Sequence, residues 1–217
     1  MKKPDLRLIE STPLRFLVST PKGDSPENGW PLLCFLHGYD EAAPLDIFEG
    51  LTRHGPFRWT SSRKARDLFI LVAPQLHTAG DVWFKYGDIV KETVMEIRAQ
   101  ERGDSCCTYL TGFSFGGNGV FDLALMHADF WSALWPVDPT RVPKTDPERP
   151  VWLSFGEVSR TQKAAFIQKL DLIPADTPME GDRVYLDQGH DHVGSAKFAY
   201  QDDRIYDWLL LKKSRSV

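Results

Sequence analysis

The sequence predicts an α/β fold of three layers, in which a mostly parallel twisted sheet lies between two layers of helices. Short apolar runs alternate with segments of helical periodicity along the chain. Most of the runs lack polar alternation, which is typical of strands buried on both faces of a parallel sheet. No linker rich in glycine or serine divides the 217 residues, so we expect residues 1–217 to form a single domain.

The apolar runs set the expected strands, which are Leu14–Ser19, Leu32–Leu36, Phe69–Ala73, Thr108–Thr111, Ala133–Val137, Val151–Phe155 and Arg183–Leu186. The segments between them predict helices at about Pro44–Arg53, Asp88–Arg102, Gly117–His127, Gln162–Leu172 and Asp203–Lys212. The run Val137–Pro150 contains four prolines and is expected to be a loop. It is too short to hold a large lid domain, so we expect an open cleft.

Charge and composition exclude several classes of protein. The 26 basic and 30 acidic residues give a net charge of −4, so there is no basic excess for nucleic-acid binding. The apolar runs are far shorter than the roughly 20 residues of a membrane-spanning helix. The N-terminal segment carries Asp5, Arg7 and Glu10 where a signal peptide needs apolar residues. Three cysteines without a spaced framework indicate reduced thiols, and we therefore expect a cytoplasmic protein without a membrane span.

A candidate nucleophile lies where one strand meets the following helix. Gly112-Phe113-Ser114-Phe115-Gly116 has the pattern Gly-x-Ser-x-Gly, directly after the apolar run that ends at Thr111. A serine on such a sharp turn needs neighbours with almost no side chain, and the turn exposes its hydroxyl above the sheet. Ser114 is therefore the expected nucleophile.

Two further loops supply the expected partners of Ser114. The strand that ends in His37-Gly38-Tyr39 places the Tyr39 N–H beside that of Phe115, and we expect these two groups to form an oxyanion hole. His37 itself is expected to be a structural hydrogen-bonding residue. The late strand is followed by Gly189-His190, which makes His190 the expected general base, with His192 as the second choice. A metal site at this His-x-His pair lacks further ligands at suitable spacing, and no metal is expected.

The sequence resembles the α/β-hydrolase fold, specifically its small phospholipase/carboxylesterase and polyhydroxybutyrate-depolymerase-like esterase branch. The resemblance runs from about Leu32 to Leu211 and rests on matching stretches in the family's order. These stretches are Leu36-His37-Gly38, His54-Gly55-Pro56, Val72-Ala73-Pro74-Gln75 with Trp83, Gly112–Gly117, and Gly189-His190 followed by Tyr206–Leu210. The resemblance implies a serine hydrolase with Ser114 as nucleophile, His190 as base and no cofactor.

The sequence departs from this family at the catalytic acid. The family usually has His-Gly-x-x-Asp after the strand before the histidine strand, but here Phe155 and Ser159 stand at the His and Asp positions. Glu157 is the nearest carboxylate and is the expected acid. Asp138 is the second choice, since the acid sometimes follows the earlier strand.

Two functions are compatible with these residues. The first is hydrolysis of a carboxylic ester or thioester of a small to medium acyl substrate through an acyl-Ser114 intermediate. The second is a non-hydrolytic protein of the same fold, such as an acyltransferase, a cyclase or lyase, or a binding protein with a degenerate site. The unusual acid favours the second function, whereas the intact Gly-x-Ser-x-Gly and Gly-His patterns favour the first.

Overall fold

The structure is a computed structural model that describes residues 5–10, 13–175 and 181–214. Residues Met1–Pro4, which contribute to the expectation about a signal peptide, lie outside the described ranges. Within these ranges, nine strands form one sheet. They are β1 Arg7–Glu10, β2 Arg15–Ser19, β3 Trp30–Leu36, β4 Ile70–Gln75, β5 Gly103–Phe113, β6 Ala133–Val137, β7 Val151–Phe155, β8 Ile173–Pro174 and β9 Arg183–Asp187.

The sheet is mostly parallel, as expected. Its strand order is β1-β2-β4-β3-β5-β6-β7-β9-β8. Only the pairs β1–β2 and β2–β4 are antiparallel among the described strands. The central pairs are parallel, so the carboxyl ends of β3, β5, β6, β7 and β9 meet at one edge of the sheet. Ligands of open α/β sheets bind in the crevice outside such an edge.

Eight α-helices cover the two faces of the sheet in the described part of the chain. They are α1 Ile47–Arg53, α2 Arg63–Leu68, α3 Gly87–Gln100, α4 Phe115–Met126, α5 Glu157–Arg160, α6 Lys163–Leu170, α7 His192–Gln201 and α8 Asp203–Leu210. Buried residues of α3, α4 and α6 form one apolar core, and those of α1, α2, α7 and α8 form the other. Alternate residues of β3 enter the two cores, so the three-layer prediction is confirmed.

The strands β6 and β7 have the bounds that the sequence predicts, because each is a short apolar run between polar or proline-containing loops. The prediction missed the short edge strands β1 and β8 and the helices α2, α5 and α7. Edge strands this short depend on pairing with a neighbour, and such pairing leaves little signal in the local sequence. No helix in the described ranges is long and apolar enough to cross a membrane.

Candidate active site

Ser114 lies at the carboxyl edge of the sheet, between the end of β5 and the start of α4. Its backbone has φ 56° and ψ −114°, an uncommon conformation for a residue with a side chain. The Ser114 N–H donates to the carbonyl of Val137 at the end of the neighbouring strand β6, at 2.9 Å. This bond ties the strained turn to the sheet, which fixes the position of the hydroxyl.

The two glycines of the Gly-x-Ser-x-Gly pattern are required by close backbone contacts. A Cβ on Gly116 would lie 1.9 Å from the carbonyl oxygen of Leu36, and a Cβ on Gly112 would lie 2.4 Å from the carbonyl oxygen of Gly116. Neither contact can be relieved by moving a side chain, because the opposing atoms belong to the backbone. The expected reason for glycine on both sides of Ser114 is therefore confirmed.

His192 and Asp138 form a continuous hydrogen-bonded chain with Ser114. His192 Nε2 lies 2.8 Å from Ser114 Oγ, and His192 Nδ1 lies 2.5 Å from Asp138 Oδ2. An ionised carboxylate only accepts hydrogen bonds, so the proton of the neutral ring is on Nδ1. Nε2 is then free to accept the Ser114 hydroxyl proton. The imidazole also packs on Phe113, with ring centroids 4.6 Å apart.

The Asp138 carboxylate is buried and heavily hydrogen-bonded. Its side chain is 0% exposed, and it accepts hydrogen bonds from the N–H groups of Gly156 and Ser159 and from the Ser159 hydroxyl. Burial raises the pKa of Asp138, but hydrogen bonds from His192 and Ser159 outweigh burial, and the net pKa lies below the usual value. Asp138 is therefore ionised at neutral pH. A Cβ on Gly156 would lie 2.5 Å from this carboxylate, which explains a glycine at that position.

The structure does not place His190 against Ser114, contrary to the expectation from Gly189-His190. The His190 side chain is exposed and stacks on Phe198, with ring centroids 4.0 Å apart and an interplanar angle of 14°. The described chain turns at Gly189, which has φ 71°, before α7 begins at His192. The second choice, His192, is the residue that contacts Ser114.

Glu157 also lies apart from the imidazole, contrary to its expected position. It is exposed at the start of α5, and its Oε2 accepts from the backbone N–H of His192 at 3.3 Å. It therefore contacts the backbone of the histidine and not its ring. Asp138, the second choice, directly follows β6, which pairs with the strand that carries Ser114. Its φ of 43° turns the chain at the sheet edge.

A local signal for His192 was present in the sequence but was not used. Asp191 is the N-cap of α7, and its side chain accepts from the Gly194 N–H. From His192 onward, the buried residues Ser195, Ala196, Ala199 and Tyr200 follow at helical spacing. His192 lies three and four residues before Ser195 and Ala196, so it shares their buried face of α7, whereas His190 precedes the helix. Predicting α7 would have favoured His192.

The loop after β3 lies beside the start of α4, so Tyr39 and Phe115 are neighbours, as the sequence predicts. The Tyr39 ring is 53% exposed and meets the Phe115 ring edge to face, with centroids 6.2 Å apart. Phe115 is the first residue of α4, where backbone N–H groups have no partner within the helix. The role of the Tyr39 and Phe115 N–H groups as oxyanion-hole donors stays a prediction.

His37 holds this loop from behind. The ring is buried, its Nε2 accepts from the Leu76 N–H at 3.0 Å, and its Nδ1 donates to the Gly38 carbonyl at 2.6 Å. Burial lowers the pKa of His37 to about 4, although the hydrogen bond to Gly38 opposes this shift. The ring is therefore neutral at physiological pH. It acts as the structural hydrogen-bonding residue that the sequence predicts.

Two small cavities lie along α4, and the first begins at Phe115, the residue after Ser114. The first, of about 50 Å³, is lined by Val82, Trp83, Phe115, Asn118, Asp122 and Arg141. The second, of about 350 Å³, shares Asp122 and Arg141 and adds Lys144 and the apolar side chains of Phe84, Leu125 and Pro143. Arg141 Nη2 donates to both carboxylate oxygens of Asp122, so these two charges neutralise each other in the groove.

Comparison with known proteins gives similarity in structure only. No protein-family model and no curated protein match this sequence. A thermostable esterase matches 97% of the chain with a TM-score of 0.75 and 20% identity, and the chain spans 63% of that esterase's length. The feruloyl esterase module of Clostridium thermocellum matches 98% of the chain and 89% of its own length, with a TM-score of 0.65 and 13% identity.

An S-formylglutathione hydrolase from Agrobacterium tumefaciens is similar to the same extent. It matches 95% of the chain and 94% of its own length, with a TM-score of 0.65 and 13% identity. At these identities the likeness concerns the fold, and it agrees with the mostly parallel sheet and the strand-to-helix turn at Ser114. The chain has the α/β-hydrolase fold that these esterases share.

Proposed function

We propose that the chain is a serine hydrolase that cleaves a carboxylic ester or thioester of a small to medium acyl substrate. One observation carries the proposal, namely the hydrogen-bonded chain from Ser114 through His192 to Asp138. The same three groups in this order form the nucleophile, base and acid of known acyl-transfer enzymes on unrelated folds. The esterases of similar fold agree with this reaction class.

The proposed reaction uses side chains and backbone N–H groups alone and needs no cofactor. Ser114 Oγ attacks the carbonyl carbon while His192 Nε2 takes the hydroxyl proton. The carbonyl oxygen becomes negative and accepts from the N–H groups of Tyr39 and Phe115. The carbon–oxygen or carbon–sulfur bond then breaks, and the leaving alcohol or thiol takes the proton from His192. Water then attacks the acyl carbon while His192 Nε2 takes one of its protons. The bond from that carbon to Ser114 Oγ breaks, Oγ takes the proton from His192, and the carboxylic acid leaves.

The hydrogen bonds of Asp138 weaken the case for a non-hydrolytic protein. That alternative rested on the absence of a carboxylate at the usual position after β7. Asp138, after β6, contacts His192 Nδ1 and is ionised at neutral pH. A buried anion at this atom keeps the ring in the tautomer that accepts from Ser114, and it stabilises the imidazolium formed during attack.

The groove along α4 supports the proposed size of the substrate. The smaller cavity begins at Phe115, the residue after Ser114. The larger, of about 350 Å³, adjoins it at Asp122 and Arg141 and is lined by both apolar and charged side chains. This volume is at the lower end for small-molecule sites. We propose that an apolar acyl or alcohol group lies there.

Free cysteines support the proposed cytoplasmic setting. Cys34 and Cys107 are free thiols, and Cys34 lies in the apolar core. Burial raises the pKa of the Cys34 thiol, which keeps it protonated and unreactive. Reduced thiols of this kind are typical of a reducing compartment.

Labelling with a fluorophosphonate tests the proposed nucleophile without knowledge of the substrate. We expect one equivalent of label per chain, located by mass spectrometry of peptides at Ser114, because Nε2 of His192 activates that hydroxyl. Heat-denatured protein is the control and is expected to stay unlabelled. No label, or label at another serine, would contradict the proposal. A panel of p-nitrophenyl esters and acyl thioesters then distinguishes the leaving group.

Asp138→Asn is expected to lower kcat for a p-nitrophenyl ester by about 10⁴, because the amide no longer favours the Nδ1–H tautomer. Glu157→Gln is the matched control, since Glu157 contacts only the backbone of His192. Its kcat is expected to stay within about threefold of wild type. A large loss in Glu157→Gln with a small loss in Asp138→Asn would assign the acid to Glu157.

A further inference from the structure

A second carboxyl group, that of Glu41, is buried against the loop that carries Tyr39. Glu41 is 3% exposed, and within the described ranges its Oε2 has no hydrogen-bond partner. A Cβ on Gly38 would lie 2.8 Å from this oxygen, so the carboxyl group presses against the backbone just before Tyr39. A buried polar atom without a partner is costly in free energy, and the described triad does not use it.

His54 is the polar neighbour of this carboxyl group. Its Nε2 lies 3.5 Å from Glu41 Oε1, while its buried Nδ1 has no partner among the described atoms. The His54 ring packs on Phe113, with centroids 5.0 Å apart, and Phe113 packs on His192. The Phe113 ring therefore lies between the His192 ring and His54, the neighbour of Glu41.

Burial favours the uncharged form of both groups. It raises the pKa of Glu41 to about 7, although the nearby Gly38 N–H, which does not reach hydrogen-bond geometry with Oε2, opposes this shift. It lowers the pKa of His54 to about 4, and the positive charge of nearby Arg58 adds to this effect. Between these two values neither group is charged.

The other charged and titratable groups around Glu41 come from three neighbouring segments. Arg53 at the end of α1 lowers the pKa of Glu41, and Asp40 beside it raises that pKa. Tyr200 of α7 is also close enough for Glu41 to raise its pKa, and His192 acts on His54. The positive charge of Arg53 does not offset the effect of burial on the pKa of Glu41.

We propose that Glu41 is a positioning residue for the Gly38–Tyr39 loop in its uncharged form, and that its ionisation slows acyl transfer. The inference rests on the proposed function, because it requires an oxyanion at the Tyr39 N–H. A carboxylate behind Gly38 puts a negative charge near the oxygen that becomes negative during attack. Like charges repel strongly in a buried site. The effect arises in the transition state, so it lowers kcat and leaves KM nearly unchanged.

Glu41→Gln keeps the shape of the side chain and removes the titration. We would measure kcat and KM for p-nitrophenyl acetate from pH 5 to pH 9, corrected for spontaneous hydrolysis. In wild type, ionisation of Glu41 is expected to lower kcat about tenfold as pH rises through 7, the scale of one unit charge several Å away, in addition to the pH dependence of the general base that wild type and variant share. In Glu41→Gln this fall is expected to disappear, with kcat at pH 6 within about threefold of wild type. An unchanged fall in Glu41→Gln would overturn the inference.

Asp40→Asn is the matched control, because it removes an exposed carboxylate from the same turn. Its charge raises the pKa of Glu41, so the variant is expected to keep the fall in kcat and move it to lower pH. The two proposals fail in distinguishable ways. Missing fluorophosphonate label at Ser114 refutes the serine hydrolase, whereas a labelled Ser114 with equal pH profiles in wild type and Glu41→Gln refutes only the role of Glu41.

Thermal unfolding gives a readout that is independent of activity. The pKa of Glu41 is raised in the folded state, so the folded protein loses stability as pH rises from the unfolded pKa of this group, near 4.5, through about 7. Glu41→Gln removes this loss, so its Tm relative to wild type is expected to be higher at pH 8 than at pH 5. An equal difference at both pH values would overturn the inference. So would a variant that fails to fold at either pH, because Gln mimics the uncharged form.

Discussion

His192→Ala is expected to lower kcat for p-nitrophenyl ester hydrolysis by about 10⁶, the scale seen when the histidine of a Ser-His-Asp triad is removed. His192 Nε2 is 2.8 Å from Ser114 Oγ, so its loss removes the acceptor of the hydroxyl proton. It also removes the group that protonates the leaving alcohol. The measurement is kcat and KM at pH 8, with the Tm of each variant measured alongside.

His190→Ala is the matched control for this change. Both histidines lie on the same short segment, but the His190 ring stacks on Phe198 and is exposed. Its kcat is expected to stay within about threefold of wild type. The fold of His192→Ala should persist, because Asp138 keeps the hydrogen bonds from Gly156 and Ser159. An inactive His190→Ala variant together with an active His192→Ala variant would assign the general base to His190.

Ser114→Ala is expected to lower kcat by a similar factor of about 10⁶ and to abolish labelling by fluorophosphonate. The variant keeps the Cβ, so the backbone at φ 56° is not further strained. The contact of Ser114 N–H with Val137 is also unaffected. Catalysis of about 10³–10⁴-fold over water is expected to survive from binding and the oxyanion hole.

Burst kinetics test the acyl-Ser114 intermediate, and spectroscopy of the fold separates its loss from a general loss of structure. Wild type that accumulates acyl-Ser114 is expected to release a burst of p-nitrophenol equal to the enzyme concentration, and Ser114→Ala none. Far-ultraviolet circular dichroism and Tm should match wild type. Activity of Ser114→Ala near that of wild type would mean that another group attacks the substrate.

The central strands and long helices could be predicted because their signals are local. Ala133–Val137 and Val151–Phe155 are continuous apolar runs with polar boundaries, and the structure gives both the same bounds. Helix α3 shows apolar residues on one stripe, and its predicted start lies within one residue of the observed one. The edge strand β1 is stabilised by pairing with β2, and its local pattern is weak. Helix α7 does have a local signal, its N-cap and helical spacing, which the prediction did not use.

The sequence by itself determined the turn that places Ser114 at the sheet edge. A strand that leads into Gly-x-Ser-x-Gly and then a helix puts all constraints on Ser114 within ten residues. The glycines that clear space beside Leu36 are part of the same motif. The Tyr39 loop is identified in the same way, by His37-Gly38 at the end of a strand, and His37 indeed holds that loop through Leu76. Local sequence is sufficient where all the constraints on a residue lie within one turn.

Only the tertiary structure decided which histidine and which carboxylate meet Ser114. His190 and His192 are two residues apart, and Asp138 and Glu157 both follow strands that end at the same edge. The choice depends on the start of α7, which directs His192 inward, and on the N–H groups after β7, which hold Asp138 ionised. These contacts join residues 18 to 78 positions apart in the chain. The spacing of residues within a motif does not predict contacts between residues so far apart in the chain. Packing and burial in the folded protein determine those contacts.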